Sequence, residues 1–235
     1  MKLKVIFDKN SLSDKFSCGW GISYLIDDKV LFDTGEKSEY LFNNIDKLGV
    51  DIEKIQKVVI SHNSWDHRSG LWDLLRVNKN IEVFACLDFF DEFKDKISTY
   101  NFKLVKGHCR IIENIYSSGC LQVTYKGRSL YEQFILLKTE KGISVVCGCS
   151  HSGVLEFINR AKEIFPKDEI NSILGGLHLM DKDKRFVNYL GQELKNIGIK
   201  KIGPSHCTGF EAADILKKIY PDNFLDLKVG IEIEV

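Results

Sequence analysis

The stretch from Ser61 to Gly70 most constrains the fold of this chain, because metal-binding side chains follow directly after an apolar run. Residues 57–60 form the apolar run and are typical of a buried strand. His62, Asp66 and His67 come next, and side chains gathered where a strand opens into a loop can converge on a divalent cation. The segment alone is also compatible with a chance cluster or a structural ion pair.

The other histidines repeat this context. The chain has six histidines, and His151, His178 and His206 each follow a strand-like run that ends in small residues. Only His108 lacks this setting. Glycine residues at the ends of strands let the backbone approach a ligand closely. In proteins that combine strands and helices, functional residues often lie on loops at one edge of a sheet. The recurrence favours one shared site.

Five motifs in order along the chain resemble the metallo-β-lactamase superfamily. They are LFDTG at residues 31–35, the stretch 61–70, GCSH at 148–151, GGLH at 175–178 and SHCTG at 205–209. Within the superfamily, GCSH, GGLHL and HCTG resemble metal-dependent hydrolases related to dihydropterin ribofuranosylaminobenzene 5′-phosphate synthase. The resemblance spans nearly the whole chain. It implies an α+β fold, an αββα sandwich of two mixed sheets, in one domain over residues 1–235.

The resemblance also implies two metal positions. It assigns His62 and His151 to one position and Asp66, His67 and His206 to the other. His178 stands where the superfamily often has a metal-bridging acid, and an imidazole does not normally bridge two cations. His178 is therefore expected to bind one metal or to contact the substrate. Asp33 matches an aspartate that supports a ligand histidine or water from behind.

Ser64 departs from the superfamily pattern HxHxDH, which has a histidine at this position. A serine hydroxyl is a poor zinc ligand, so we expect one firmly held cation and a second that is weak or absent. Zinc is the default for a nitrogen-rich set, although manganese, iron or nickel fit the same ligands. Trp65 either forms an apolar wall for a planar substrate or packs under the loop.

Composition is that of one enzyme-sized domain. The 235 residues are 44% apolar, and 33 Lys and Arg balance 33 Asp and Glu, which gives no broad basic surface for nucleic acid. The expected partner is a small-molecule substrate, and oligomeric state is left open. The first apolar run is too brief for a signal peptide, and none approaches the roughly 20 residues needed to cross a bilayer. These features predict a cytoplasmic protein without a membrane segment.

The seven cysteines lack the paired CxxC spacing of a structural zinc site and are interpreted as reduced thiols. Cys149 and Cys207 lie beside candidate ligands. Each is either a metal ligand or a small buried residue, and the second interpretation is favoured.

Strand and helix patterns alternate along the chain after an early antiparallel group at residues 1–7, 21–26 and 30–32. Residues 89–118 fit this rhythm least. They are interpreted either as a lid-like insertion over the site, in which Arg110 contacts the substrate, or as a segment whose aromatic residues pack against the sandwich.

The resulting hypothesis is a metal-dependent hydrolase in which a metal-activated water attacks an ester, lactone or phosphoester bond of a small, possibly ring-bearing substrate. Asp66 and His178 are the candidate catalytic residues. One alternative is a pterin-type synthase that displaces pyrophosphate. Another is a catalytically degenerate metal or ligand-binding protein with the same fold.

Overall fold

The computed structural model describes residues 1–235 and contains fifteen strands and seven α-helices. The strands are β1 (Lys2–Phe7), β2 (Ser23–Ile26), β3 (Val30–Phe32), β4 (Lys57–Val59), β5 (Glu82–Ala85), β6 (Asn101–Leu104), β7 (Gly107–Ile112), β8 (Ile115–Gly119), β9 (Leu121–Tyr125), β10 (Arg128–Glu132), β11 (Ile135–Thr139), β12 (Gly142–Cys147), β13 (Ile170–Gly176), β14 (Lys201–Ser205) and β15 (Glu232–Glu234).

The α-helices lie mostly between parallel strands. They are α1 (Ser38–Lys47), α2 (Trp65–Arg68), α3 (Leu71–Val77), α4 (Asp88–Ile97), α5 (Val154–Ile164), α6 (Lys184–Ile197) and α7 (Phe210–Ile219), with short 3-10 turns at Ile52–Lys54 and His206–Thr208. The bounds of α6 follow from its sequence. Asp183 caps the first turn by accepting hydrogen bonds from two backbone amides, and Gly198 ends the helix in the left-handed conformation.

Most of the strands belong to two mixed sheets. The first has the strand order β15-β1-β2-β3-β4-β5-β6, and the second has the order β14-β13-β12-β11-β8-β7. Strands β9 and β10 form a separate hairpin. Its two-residue turn, Lys126 and Gly127, has positive φ at both positions, as a type I′ turn requires.

Three layers of apolar side chains hold the sheets and helices together. One cluster, which includes Phe32, Val59, Ile135 and Val146, lies between the two sheets. A second packs α1 and α3 on the outer face of the first sheet, and a third packs α5, α6 and α7 on the outer face of the second. The predicted αββα sandwich is confirmed.

The parallel strands bring the candidate site residues to one edge. β3, β4 and β5 are parallel in the first sheet, and β12, β13 and β14 are parallel in the second. Asp33 and His62 follow β3 and β4, whereas His151, His178 and His206 follow β12, β13 and β14. Because the carboxyl ends of parallel strands meet at one edge, the fold itself collects these side chains.

The segment 89–118 belongs to the sandwich and does not cover the site. It contributes most of α4, the edge strand β6 of the first sheet and strands β7 and β8 of the second. Phe89, Phe93 and Phe102 pack around Trp72 on the outer face of the first sheet. Of the two interpretations given to this segment, packing describes the structure and the lid does not.

A disulfide joins Cys86, which follows β5, to Cys120, which precedes the hairpin. The interpretation of all seven cysteines as reduced thiols is therefore wrong for this pair. The two half-cystines are 34 residues apart and carry no CxxC signal. The other five cysteines are free.

None of the helices combines the length and the apolar character that crossing a bilayer requires.

Candidate metal centre

Asp33 anchors the floor of the site from a fully buried position directly after β3. Its carboxylate accepts hydrogen bonds from the amide of Ser61 at 2.7 Å, from the hydroxyl of Ser61 at 2.7 Å and from Nδ1 of His67 at 2.6 Å. Burial raises the pKa of the Asp33 carboxyl, and these hydrogen bonds oppose that shift. The contact with His67 fixes the ring and directs Nε2 toward the cluster.

Asp66, His67 and His206 form one group of donors, whose ligand atoms all lie within 4.8 Å of one another. Oδ2 of Asp66 lies 3.4 Å from Nε2 of His67 and 3.5 Å from Nε2 of His206. Ligand atoms about 2.0 to 2.2 Å from a tetrahedral ion lie about 3.3 to 3.6 Å from one another. Oδ2 of Asp66 is thus spaced from each of the two imidazole nitrogens as two ligands of a single cation are.

His206 is fully buried, and its Nε2 has no hydrogen-bond partner within the protein. The amide of Gly21 hydrogen-bonds to Nδ1 at 3.1 Å, and the Trp20 ring packs against the imidazole at 4.7 Å between centroids. A buried polar atom without a partner is costly, and a cation at the cluster would satisfy it. The residues present therefore fit a metal ion.

His62 and His151 lie on the other side of His67. Their ring centroids are 4.9 Å apart, and the His62 ring is 4.2 Å from that of His67. Nδ1 of His62 contacts the Ser61 hydroxyl at 2.9 Å, and Nδ1 of His151 contacts Oε2 of Glu132 at 3.1 Å. Both rings therefore keep Nε2 for a ligand role.

Glu132 holds the turn that carries His151. Its carboxylate also accepts hydrogen bonds from the amides of His151 at 3.0 Å and Ser152 at 2.6 Å. Since Glu132 ends β10 and forms a bridge with His62, the base of the hairpin is tied to both halves of the site.

His178 faces the same space from the end of β13. Its ring is 4.7 Å from that of His151, and its buried Nδ1 has no partner within the protein. Tyr125, at the tip of the hairpin, packs edge-on against His178 at 5.1 Å and lies 4.5 Å from His151. The aromatic contact over these rings comes from the hairpin.

Ser64 and Trp65 point in different directions. The Ser64 hydroxyl donates to Oδ1 of Asp66, which leaves Oδ2 for the cluster. Trp65 is 53% exposed at the start of α2, so its ring does not pack under the loop. Its predicted substrate contact remains a prediction.

Arg110 is separated from the cluster. It is exposed on β7, the edge strand that lies three strands away from β12. At about 4.8 Å per strand, that places it at least about 14 Å from the strand that carries His151. The prediction that Arg110 contacts the substrate is corrected accordingly, because the segment that bears it is part of a sheet.

Lys126 and Arg128 of the hairpin are two cations near the metal loop. With Tyr125, Asn63 and Asp88, they line a cavity of about 580 Å³. Oδ1 of Asn63 and Oδ1 of Asp88 are buried without partners in this cavity. The cavity can thus hold a ligand that carries an anionic group and hydrogen-bond donors.

The pKa values of the buried histidines in the cluster are shifted in opposite directions. Burial and neighbouring histidines hold the pKa of His62 and of His206 well below the ordinary value, so both rings are neutral, as metal binding requires. Burial would also lower the pKa of His67, but the carboxylates of Asp33 and Asp66 raise it to about 10. Although burial opposes the shift, His67 holds the pKa of Asp66 far below its usual range.

The comparisons agree with this arrangement. A family model described as the metallo-beta-lactamase superfamily matches residues 21–84. The crystal structure of a metal-dependent hydrolase of the beta-lactamase superfamily covers 100% of this chain and 99% of its own, with a TM-score of 0.80 and 26% identity. The chain resembles the metallo-β-lactamase superfamily in both sequence and fold.

Two further proteins resemble this chain. The 7,8-dihydropterin-6-methyl-4-(beta-D-ribofuranosyl)-aminobenzene-5′-phosphate synthase of Methanocaldococcus jannaschii is 26% identical over an alignment of 258 positions, which covers 89% of this chain and 88% of the relative. The short form of human tRNase Z, at 12% identity and a TM-score of 0.59 over 100% of this chain and 99% of its own, shares the fold.

The sequence analysis did not identify two residues of this candidate site and gave too little weight to a third. Glu132 and Tyr125 lie in a polar stretch without histidines, and only long-range pairing places them beside His151. The sequence pattern favours Cys149 as a small buried residue without a ligand role, yet its Sγ is 3.3 Å from Nε2 of His67. Its place in GCSH, two residues before a candidate ligand, was the available signal.

Proposed function

We propose that this protein is a metal-dependent hydrolase that cleaves an ester, lactone or phosphoester bond of a small substrate. The observation that carries the proposal is the spacing of Asp66, His67 and His206, whose donor atoms suit one cation, beside the unpartnered Nε2 of His206. Zinc is the proposed ion. His62 and His151 are the proposed ligands of a second, weaker position.

The cation, when bound, supplies Lewis acidity and makes a water molecule available as a nucleophile near neutral pH. Asp66 offers Oδ2 to the ion, while Ser64 holds Oδ1 in place. His178 has a partner-free Nδ1 in the same space, so we assign to it the donation of a proton to the leaving-group oxygen. The water oxygen becomes bonded to carbon or phosphorus, and the bond to the leaving group breaks.

The hairpin cavity favours an anionic substrate among the three bond classes. Lys126 and Arg128 present two cations beside the metal loop, and a guanidinium pairs with phosphate or carboxylate through two parallel hydrogen bonds. We expect a double Lys126→Ala, Arg128→Ala variant to lose activity on a phosphodiester and to keep it on a neutral ester. Arg110→Ala, at an exposed site on β7, is the matched control.

The test combines metal analysis with turnover. Purified protein is analysed by mass spectrometry for metal content and assayed on an aryl phosphodiester, a lactone and a neutral ester. We expect hydrolysis of at least one substrate that is abolished by a chelator and restored by zinc. Bound metal without turnover of any of the three would instead support the catalytically degenerate binding protein.

A second candidate function follows from the M. jannaschii relative, whose name describes a synthase. The same site would then join a pterin-bearing diphosphate to an aminobenzene partner and release pyrophosphate. Pyrophosphate release that depends on both reactants would favour the synthase. Release of inorganic phosphate or alcohol from one substrate alone would favour the hydrolase.

Ser64→His is expected to raise the metal content from about one ion toward two per chain, because it adds the imidazole that the first position lacks. Metal content and metal affinity of the purified variant check this prediction. Ser98→His, at the exposed C-cap of α4, is the control and should leave the content unchanged. An unchanged ratio in Ser64→His would mean that residue 64 does not face the first position.

Metal binding is expected to release at least one proton, from His67. Below its pKa of about 10 the ring is an imidazolium held between two carboxylates, and a cation must displace the Nε2 proton. The apparent metal affinity should therefore rise at least about tenfold per pH unit between pH 6 and 9. Calorimetry in buffers of different ionisation enthalpy measures the released protons, and an affinity independent of pH would contradict the prediction.

A further inference from the structure

Cys149 lies at the junction of the two metal positions, in the turn after β12. Its side chain is 5% exposed, and its Sγ is 3.3 Å from Nε2 of His67. Cys149 belongs to three groups of donor atoms, and within each group all the atoms lie within 4.8 Å of one another. The groups are Cys149 with His62 and His67, Cys149 with His151 and His178, and Cys149 with His206 and Cys207. No other residue takes part in as many of these groups.

This location matters because the chain lacks two ordinary ligands of a paired metal site. Ser64 stands in place of a histidine, and its hydroxyl is engaged by Asp66. His178 stands in place of a bridging acid, and one imidazole nitrogen has a single lone pair for one ion. A thiolate sulfur has several lone pairs and can contact two ions at once.

The measured contact agrees with a ligand role. Sulfur and nitrogen ligands at about 2.3 and 2.0 Å from a tetrahedral zinc ion lie about 3.5 Å apart. The distance of 3.3 Å between Cys149 and His67 is close to that value. Cys207, the other thiol in the cluster, instead directs its sulfur toward the carbonyl oxygen of Cys149 at 3.6 Å.

We propose that the Cys149 sulfur is a metal ligand shared by the two positions. It completes the set of Asp66, His67 and His206 around the firmly held cation, and it bridges to a second cation at His62 and His151. When it binds, the S–H bond breaks and the proton leaves to solvent. The inference rests on the metal centre of the proposed function and deepens it, since a thiolate selects zinc or another thiophilic ion over magnesium.

Cobalt substitution of the full-length protein tests the proposal. Wild-type protein loaded with Co²⁺ should show a near-ultraviolet sulfur-to-cobalt charge-transfer band, and Cys149→Ala and Cys149→Ser should lose it. Cys207→Ala and Cys18→Ala are the matched thiol controls and should retain the band at comparable intensity. Bound cobalt without a band in the wild type, or a band that persists in Cys149→Ala, would overturn the proposal.

A measurement on the wild type alone guards against misfolded variants. Cadmium-113 NMR of the loaded wild-type protein should give a resonance at markedly higher frequency than nitrogen and oxygen ligands produce. A resonance confined to the nitrogen and oxygen range would overturn the thiolate assignment. If the band is present but no substrate is hydrolysed, the hydrolase proposal fails and the role of Cys149 stands. Failure to bind cobalt or cadmium would overturn both.

Discussion

Asp66→Asn should reduce kcat/KM about a thousandfold, which corresponds to about 4 kcal/mol of lost transition-state stabilisation. The amide keeps the shape of the side chain but removes the charge that faces Nε2 of both His67 and His206. The cation would then be held by two imidazoles and a weak neutral ligand. We expect the purified variant to contain less than a tenth of the wild-type metal.

Metal content and turnover should fall together in this variant, while the fold is retained. Asp46→Asn, an exposed aspartate on α1, is the matched control and should leave both quantities unchanged. Circular dichroism of the metal-free variant checks the fold. Wild-type metal content with wild-type turnover in Asp66→Asn would remove Asp66 from the ligand set.

Asp33→Ala should lower the free energy of unfolding of the metal-free protein by about 3 to 5 kcal/mol. The substitution leaves His67 and Ser61 without their buried acceptor. It also places alanine at a φ of 59°, where aspartate is tolerated better. Because natural domains are stable by only about 5 to 15 kcal/mol, this loss is a large fraction of the total.

Denaturant unfolding of matched variants separates the causes. Asp33→Asn tolerates the same backbone conformation and keeps one acceptor oxygen, so we expect an intermediate loss. Asp14→Ala, at an exposed position, should change stability by less than about 0.5 kcal/mol. A loss in Asp33→Ala no greater than in Asp14→Ala would show that the buried hydrogen bonds contribute nothing net.

The sequence predicted the parts of the fold whose pattern is local. The runs before His62, His151 and His206 are buried almost throughout, as parallel strands covered by helices are, so their ends were evident. Strands β6 and β7 lie at sheet edges, where most residues are exposed or half-buried and polar residues interrupt the apolar ones. Their pattern resembles a solvated loop, and this produced the lid interpretation.

The candidate site was predictable to the extent that its residues have characteristic chemistry. Histidines at strand ends stand out, whereas a glutamate such as Glu132 is one of many. The carboxylate of Glu132 gains its role only through the turn at His151, which lies 19 residues away along the chain. Similarly, the disulfide between Cys86 and Cys120 depends on tertiary placement that no spacing rule encodes.

The common edge at which strands of both sheets end has a thermodynamic consequence. An ion held by Asp66 and His67 from one sheet and His206 from the other ties the two layers together at their seam. Ions that bind only the native state stabilise it by mass action, by about 2.7 kcal/mol at a free concentration one hundred times the Kd. We therefore expect the melting temperature of this sandwich to track the free concentration of the proposed ion, and chelators to destabilise the fold as well as to remove activity.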